Sequence, residues 1–212
     1  MDLIEAIRSR RSIRKFKDKK IPNKDILKLI ESAIYAPSAC DIQGWRFIIV
    51  DKPEIIRELV DRGAASFIRN TSQGILVLYD NRTDNLEYMD YIQSAAAGIQ
   101  NILLVAHSLG IGTCWVCHLP SKNEIREMFG IPPNYDPIAY IAIGYPEGKV
   151  KERKRKYKVE EIVSYNRFEL KSKERRVRGL RMKRFGRKIY YRLPLLLRRS
   201  LRPIADLFEK KF

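Results

Sequence analysis

Apolar positions recur along this chain with two periods, and they divide its first 168 residues into short helices and strands. Leu3, Ile4 and Ile7 give one face of a helix that Asp2 can cap, with Glu5 three residues on. Ile26, Leu27, Ile30, Ala33 and Ile34 predict a helix over 23–35, stopped by Pro37. Trp45–Val50 reads as a strand, and Pro53 opens a helix that ends at Gly63. The run Gly74–Tyr79 reads as a buried strand. Residues 86–109 predict one long helix, apolar nearly all round in its second half and therefore covered on several sides. The small residues Ala95, Ala96, Ala97 and Gly98 would let another backbone approach it closely. Gly110 ends it, Gly112–Cys117 forms a strand, and Ser121 with Glu124 makes a capping box for a helix through Phe129. Pro137–Gly144 and Val159–Tyr165 read as a strand and a last short helix. No strict βαβ repeat and no GxGxxG after a strand are present, which argues against a Rossmann dinucleotide domain.

Charge changes this picture at one place. The 212 residues carry a net charge of +17, but residues 1–168 hold 26 Lys/Arg against 21 Asp/Glu, and residues 169–212 hold 16 against 4. An ordinary domain, 1–168, is thus expected to carry a basic extension, 169–212. Within the extension Met182, Phe185, Ile189 and Leu193 recur at helical spacing. Beyond Pro194 lies a second apolar set: Leu195–Leu197, Leu201, Ile204, Leu207 and Phe208. An anionic membrane surface or packing on the body suits this pattern better than nucleic acid, for which no recognised motif is present. No apolar run has the length of a membrane span, and residues 1–5 lack the pattern of a signal peptide, so a cytoplasmic protein, at most peripheral at the membrane, is expected. The three cysteines, Cys40, Cys114 and Cys117, read as free thiols.

Two segments carry candidate chemistry. In Arg10-Arg11-Ser12-Ile13-Arg14, alternate residues of an extended chain project to one side. Arg10, Ser12 and Arg14 can therefore converge on one anion, with Arg11 pointing elsewhere unless the chain turns. The competing reading is a solvated basic loop, because Lys15, Lys17, Lys19 and Lys20 follow. A second basic run, Lys149–Lys156, completes such a site or lies in solvent. In the second segment, Pro37 fixes a turn, Ser38, Asp41 and Gln43 offer hydrogen-bonding groups, and Trp45 and Phe47 alternate with Arg46 along a strand. Polar groups beside an apolar strand suit a planar heteroaromatic ligand, and equally a structural loop anchored by Trp45.

Four motifs in order resemble the nitroreductase family. They are Arg10-Arg11-Ser12-Ile13-Arg14-Lys15-Phe16, the stretch from Ala36-Pro37-Ser38 to Gln43-Gly44-Trp45-Arg46-Phe47, the helix ending His107-Ser108-Leu109-Gly110 with the following Ile111-Gly112-Thr113-Cys114-Trp115, and Ile141-Ala142-Ile143-Gly144-Tyr145-Pro146 followed by Glu160–Phe168. The resemblance implies an α+β fold, with a central, mostly antiparallel sheet flanked by helices, and an intertwined homodimer with FMN at the interface. It implies that Arg10, Ser12 and Arg14 hold phosphate and ribityl with Arg11 nearby, and that Pro37, Ser38, Ala39, Asp41 and Gln43 of the partner chain edge the ring. Backbone from Cys114, Trp115, Val116 and Cys117, and a phosphate contact from Arg155 or Lys156, complete the implied set. The implied activity is ping-pong hydride transfer from NADH or NADPH to a small organic oxidant such as a nitroaromatic or quinone, with no catalytic side chain and no metal. Two positions depart from the family pattern: Asp41 stands where Asn is usual, and Gly44 where Pro is usual. A carboxylate only accepts hydrogen bonds, so Asp41 bears on redox tuning, and Gly44 is expected to loosen the start of the strand. The alternative function is a degenerate flavin-fold dimer that serves as a platform, its basic tail binding a membrane surface or nucleic acid.

Cys114-Trp115-Val116-Cys117-His118 also matches the c-type haem attachment pattern. The absence of an export signal and of a haem-domain pattern argues against haem. With only Cys40 and His107 as further Cys or His, a zinc site lacks ligands. Positions 114 and 117 of a strand face opposite sides, which argues against a redox pair. His107, on the apolar helix, reads as a core residue rather than a base.

Overall fold

The run Gly74–Tyr79 lies at the heart of the structure. The computed structural model describes residues 1–83, 85–148, 150, 154–170, 179–190 and 192–201. In chain order these form α1 (Leu3–Ser9), α2 (Asn23–Ile34), β1 (Trp45–Val50), α3 (Pro53–Asp61), β2 (Gln73–Asp80), α4 (Asp90–Ser108), β3 (Gly112–Val116), α5 (Lys122–Phe129), β4 (Tyr135–Gly144) and α6 (Leu180–Tyr190). Two compact units result: residues 1–150 with those from 194 on, and residues 151–193. Ile204, Leu207 and Phe208 lie outside the described residues, as do Lys149 and residues 151–153 of the basic run.

All four strands pair antiparallel in the order β1-β2-β4-β3. Every residue of β2 is buried, so both faces of the sheet are covered. Strand alternation sends Ile75, Val77, Ile141 and Ile143 to one face, where they pack against Ile26 and Leu29 of α2 and Ile99 and Ile102 of α4. Leu76, Leu78, Tyr140 and Cys114 go to the other face, against Ile56 and Leu59 of α3 and Ile125 of α5. Each such aliphatic side chain contributes about 1.5–3 kcal/mol by leaving water. Gly98 serves the close approach expected of the small residues on α4, because a Cβ there would lie 3.2 Å from the Ala33 carbonyl oxygen of α2.

Several element ends differ from the sequence expectation. The long helix starts at Asp90, not 86, because Met89 takes a left-handed conformation (φ 49°) that breaks the helical path. Strand β4 starts at Tyr135 and runs through Pro137, which is tolerated because a bulge opposite Val77/Leu78 interrupts the ladder there. The expected helix over 159–165 is a single 3-10 turn, Val159–Glu161; β-branched Ile162 and Val163 follow and favour extended backbone. On α1, Asp2 caps as expected, its side chain accepting from the Glu5 N–H at 2.9 Å, yet Leu3, Ile4 and Ile7 remain exposed.

A buried carboxylate at the start of β4 joins the two layers. Asp136 accepts from Asn81 Nδ2 at 2.9 Å and from the Tyr91 hydroxyl of α4 at 3.3 Å, and it ion-pairs with Lys122 and Arg126 of α5. Burial alone would raise its pKa. The hydrogen bonds from Lys122 and Asn81, with the positive charges of Lys122 and Arg126, outweigh burial and hold it below the ordinary carboxylate value. Lowered in the folded state, this group contributes stability above its unfolded pKa and loses it as pH falls through the folded pKa. Asp136→Asn should cost about 2 kcal/mol at neutral pH. In urea denaturation the gap between wild type and variant should close below about pH 4; a pH-independent gap would contradict this role.

Candidate functional site

The Arg10–Phe16 segment leaves α1 at Arg10 and runs extended along the outer edge of β3. Ser12 forms a parallel bridge with Thr113, the Ile13 N–H donates to the Thr113 carbonyl at 2.9 Å, and Phe16 bridges to Pro146. Two glycines make room for it. A Cβ on Gly112 would lie 3.0 Å from Ile13 Cγ1, and one on Gly144 would lie 2.8 Å from the Phe16 ring. Alternation then separates the arginines. Arg11 folds back, donating to the carbonyls of Arg8 (2.6 Å) and Arg10 (2.8 Å). Ser12 instead lies beside Cys114 of β3, and the positive charges of Arg14 and Arg10 act on that thiol. Burial pushes the Cys114 pKa up against those three influences. The Arg14 guanidinium stacks 5.7 Å from the centre of the Phe67 ring, which fixes its direction. The field of Arg10 and Arg11 also reaches His107, whose pKa is lowered by burial first and by these two charges next. His107 is half-buried, and its ring is satisfied by the Ser9 hydroxyl, which pairs with Nε2 at 2.7 Å.

Residues 37–43 form a strained loop before β1. Cys40, Asp41 and Gln43 all have positive φ (49°, 53° and 48°), a region non-glycine residues seldom enter. The loop is held by hydrogen bonds to specific groups. Ser94 of α4 accepts from the Ala39 N–H through Oγ at 3.0 Å and from the Trp45 indole through its carbonyl at 3.2 Å. The Ser38 hydroxyl accepts from the Gln43 N–H at 3.2 Å. Asp41 Oδ1 accepts from Gln43 Nε2 at 2.7 Å, so the acid is engaged within the loop while both side chains remain exposed. Gly44 does not loosen the strand as expected. It is buried, and a Cβ there would lie 2.9 Å from both Tyr79 and Asp80, so position 44 is a close-packed junction.

The structure sets Ser12 beside Cys114 within reach of the charges of Arg10 and Arg14, and separately gathers Ser38, Ala39, Asp41 and Gln43 beside exposed Pro37. It does not bring these two groups together within one chain. The loop precedes β1, the Arg10–Phe16 segment flanks β3, and these are opposite edges of the sheet, three strand spacings or roughly 14 Å apart. Beyond Thr113, no further strand among the described residues pairs with the outer edge of β3, where alternation turns the backbone of Trp115 outward like that of Thr113. Arg11 Nε and Trp115 Nε1 are buried without an acceptor. Arg155 and Lys156 are exposed in the 151–193 unit. Cys114 sits in the core and Cys117 is exposed, so the two thiols do not face a common ligand. Among the described residues, no group of three or more His, Cys, Asp or Glu could hold a metal ion. Ser94 and Asp136 escaped the sequence reading. A lone serine in an apolar helix signals nothing by spacing, and Asp136 precedes a strand like any loop acid.

A family model described as "Nitroreductase family" matches residues 7–74 and 60–145. A Methanothermobacter thermautotrophicus protein named NADH dehydrogenase/NAD(P)H nitroreductase is 35% identical over 150 residues, covering 69% of this chain and 78% of that protein. An Archaeoglobus fulgidus protein of the same name is 33% identical over 150 residues, covering 69% and 86%. Among solved structures, an FMN-dependent nitroreductase from Clostridium difficile superposes with a TM-score of 0.69 at 28% identity, covering 78% of this chain and 99% of that one.

Because one hydroxyl and one carbonyl of the same residue hold both the loop and Trp45, Ser94→Ala should loosen the loop without unfolding the domain. The expected cost is about 1 kcal/mol, with faster amide hydrogen exchange at Ala39. Unchanged exchange there would show that the backbone strain is borne without Ser94.

Proposed function

The chain belongs to the nitroreductase family, and we propose that it is an FMN-dependent oxidoreductase that works as a homodimer, each site drawing residues from both chains. The observation that carries this reading is the placement of the two polar segments at opposite edges of one sheet. A ligand needing both is served by one segment of each protomer. The exposed Leu3, Ile4 and Ile7 of α1, with Leu109 after α4, supply apolar surface that a second copy would cover.

The residues present suit the cofactor. Around Cys114 the nearby polar side chains are donors, two guanidiniums and a hydroxyl. Such a set is complementary to an anion rich in acceptors. Arg10, Ser12 and Arg14 would hold the FMN phosphate and ribityl, with Arg11 bracing the turn through its bonds to Arg8 and Arg10. Arg155 or Lys156 would add a phosphate contact. The open edge of β3 at Cys114–Cys117 would offer backbone groups to the ring. The partner's copy of the strained loop would edge the isoalloxazine with Pro37, Ser38, Ala39, Asp41 and Gln43. With Asp41 spending one N–H of Gln43, the loop presents acceptors where an asparagine would also donate. When bound, FMN supplies hydride acceptance from NADH or NADPH and onward transfer to a small organic oxidant such as a nitroaromatic or quinone. The protein's share is to bind, orient and cover.

Purified protein should show flavin absorption, or acquire it on incubation with FMN. Arg10→Ala/Arg14→Ala should weaken FMN binding at least about 100-fold, the loss of two charge-assisted contacts. Arg11→Ala, which removes a brace rather than a contact, should weaken it far less. A protein that stays colourless with FMN would refute the reading, and equal loss in both variants would refute the assignment of roles.

A further inference from the structure

The last described stretch of chain has its polarity inside out. After Pro194, residues 195–201 are helical. Arg198 is 5% exposed, whereas Leu196 is 75% and Leu197 52% exposed. The arginine is held from beneath. Its guanidinium ion-pairs with Glu124, the capping-box acid of α5, and donates to the Arg62 carbonyl at 3.3 Å. Arg199 reaches Asp61 at 3.8 Å. A soluble surface segment ordinarily buries its leucines and leaves its arginines in water. Here charge anchors the segment, and Leu196, Leu197 and Leu201 face outward.

The 151–193 unit shows a second exposed apolar stripe. Met182 (77% exposed), Phe185 (66%) and Ile189 are three and four residues apart along α6, hence on one helix face. The sequence of α6 holds five Lys/Arg and no acid. The apolar side chains are thus set in a region that carries 16 basic residues against 4 acidic ones between 169 and 212. The family model ends at residue 145, before all of this. No helix among the described residues is long and apolar enough to cross a membrane.

We propose that the C-terminal region binds the surface of an anionic lipid bilayer. The apolar side chains of residues 196–201 and of α6, each on its own element, enter the interface, and the surrounding Lys and Arg meet lipid phosphates. Three features select this occupant. Nucleic acid would use the basic residues but gives no role to outward leucines, methionine and phenylalanine. A second copy of the region carries the same positive charge and is repelled. A lipid surface takes up apolar side chains and basic charge together, and a helix of this length lies on it without spanning it.

The test uses the full chain and co-flotation with phosphatidylcholine vesicles with or without phosphatidylglycerol, beside a binding measurement on double-stranded DNA. Binding is expected to the phosphatidylglycerol vesicles and at least about 10-fold weaker to phosphatidylcholine alone. The double variant Phe185→Ser/Leu196→Ser should lower vesicle binding about 10-fold or more while its melting temperature and flavin absorption stay unchanged, since both side chains are exposed. No binding to anionic vesicles, binding that the double variant leaves unchanged, or DNA binding tighter than vesicle binding would each overturn the proposal. The flavin reading stands or falls separately, on the absorption spectrum.

Discussion

The strand order β1-β2-β4-β3 is the constraint from which the rest of this molecule follows. It places the two most buried strands at the centre, where helices cover both faces, and leaves β1 and β3 at the rims. The polar loop 37–43 leads into one rim, and the arginine segment 10–16 lines the other. Neither could move inward without stranding charged groups in the core, at a cost no surrounding hydrogen bond would offset. The two polar segments are therefore held at opposite rims of one sheet. Each half is rigidified locally: one by glycine-lined contact with β3 and β4, the other by Ser94 of α4.

What the sequence made legible was local in origin. The alternation of Arg10, Ser12 and Arg14 against Arg11 follows from extended backbone alone, and the structure keeps it. Helix caps at Asp2 and Ser121, and the turn at Gly130, are likewise set by neighbours within a few residues. What escaped is set at long range. Met89 breaks the expected helix although no breaker residue stands there. Asp136 becomes a four-way junction only because β4 lands between Asn81, Tyr91 and α5. Gly44 reads as a loosening residue in sequence and proves to be one where Tyr79 and Asp80 leave no space for a Cβ. The apolar set at 195–201 suited packing on the body and an anionic membrane surface equally in sequence. A distant acid, Glu124, draws Arg198 inward and leaves Leu196, Leu197 and Leu201 exposed.

Two layers of specialisation then sit on the shared fold. The strained loop carries Asp41 on Gln43, an arrangement in which an acid and an amide neutralise part of each other's hydrogen-bonding capacity. The region after residue 168 adds charge that the domain itself lacks. The strained loop and the basic region thus involve different residues, 37–43 and those after 168.

The claim that one site is shared by two chains is tested most directly by mixing defective subunits. One chain would carry Arg10→Ala/Arg14→Ala, the other Ser38→Ala/Gln43→Ala, each alone deficient in FMN binding. Co-expressed and isolated as the mixed dimer, they should regain tight FMN binding at half of the sites, because one site receives its arginines from one chain and its loop from the other. A mixed dimer that binds no more FMN than either parent would contradict the shared site.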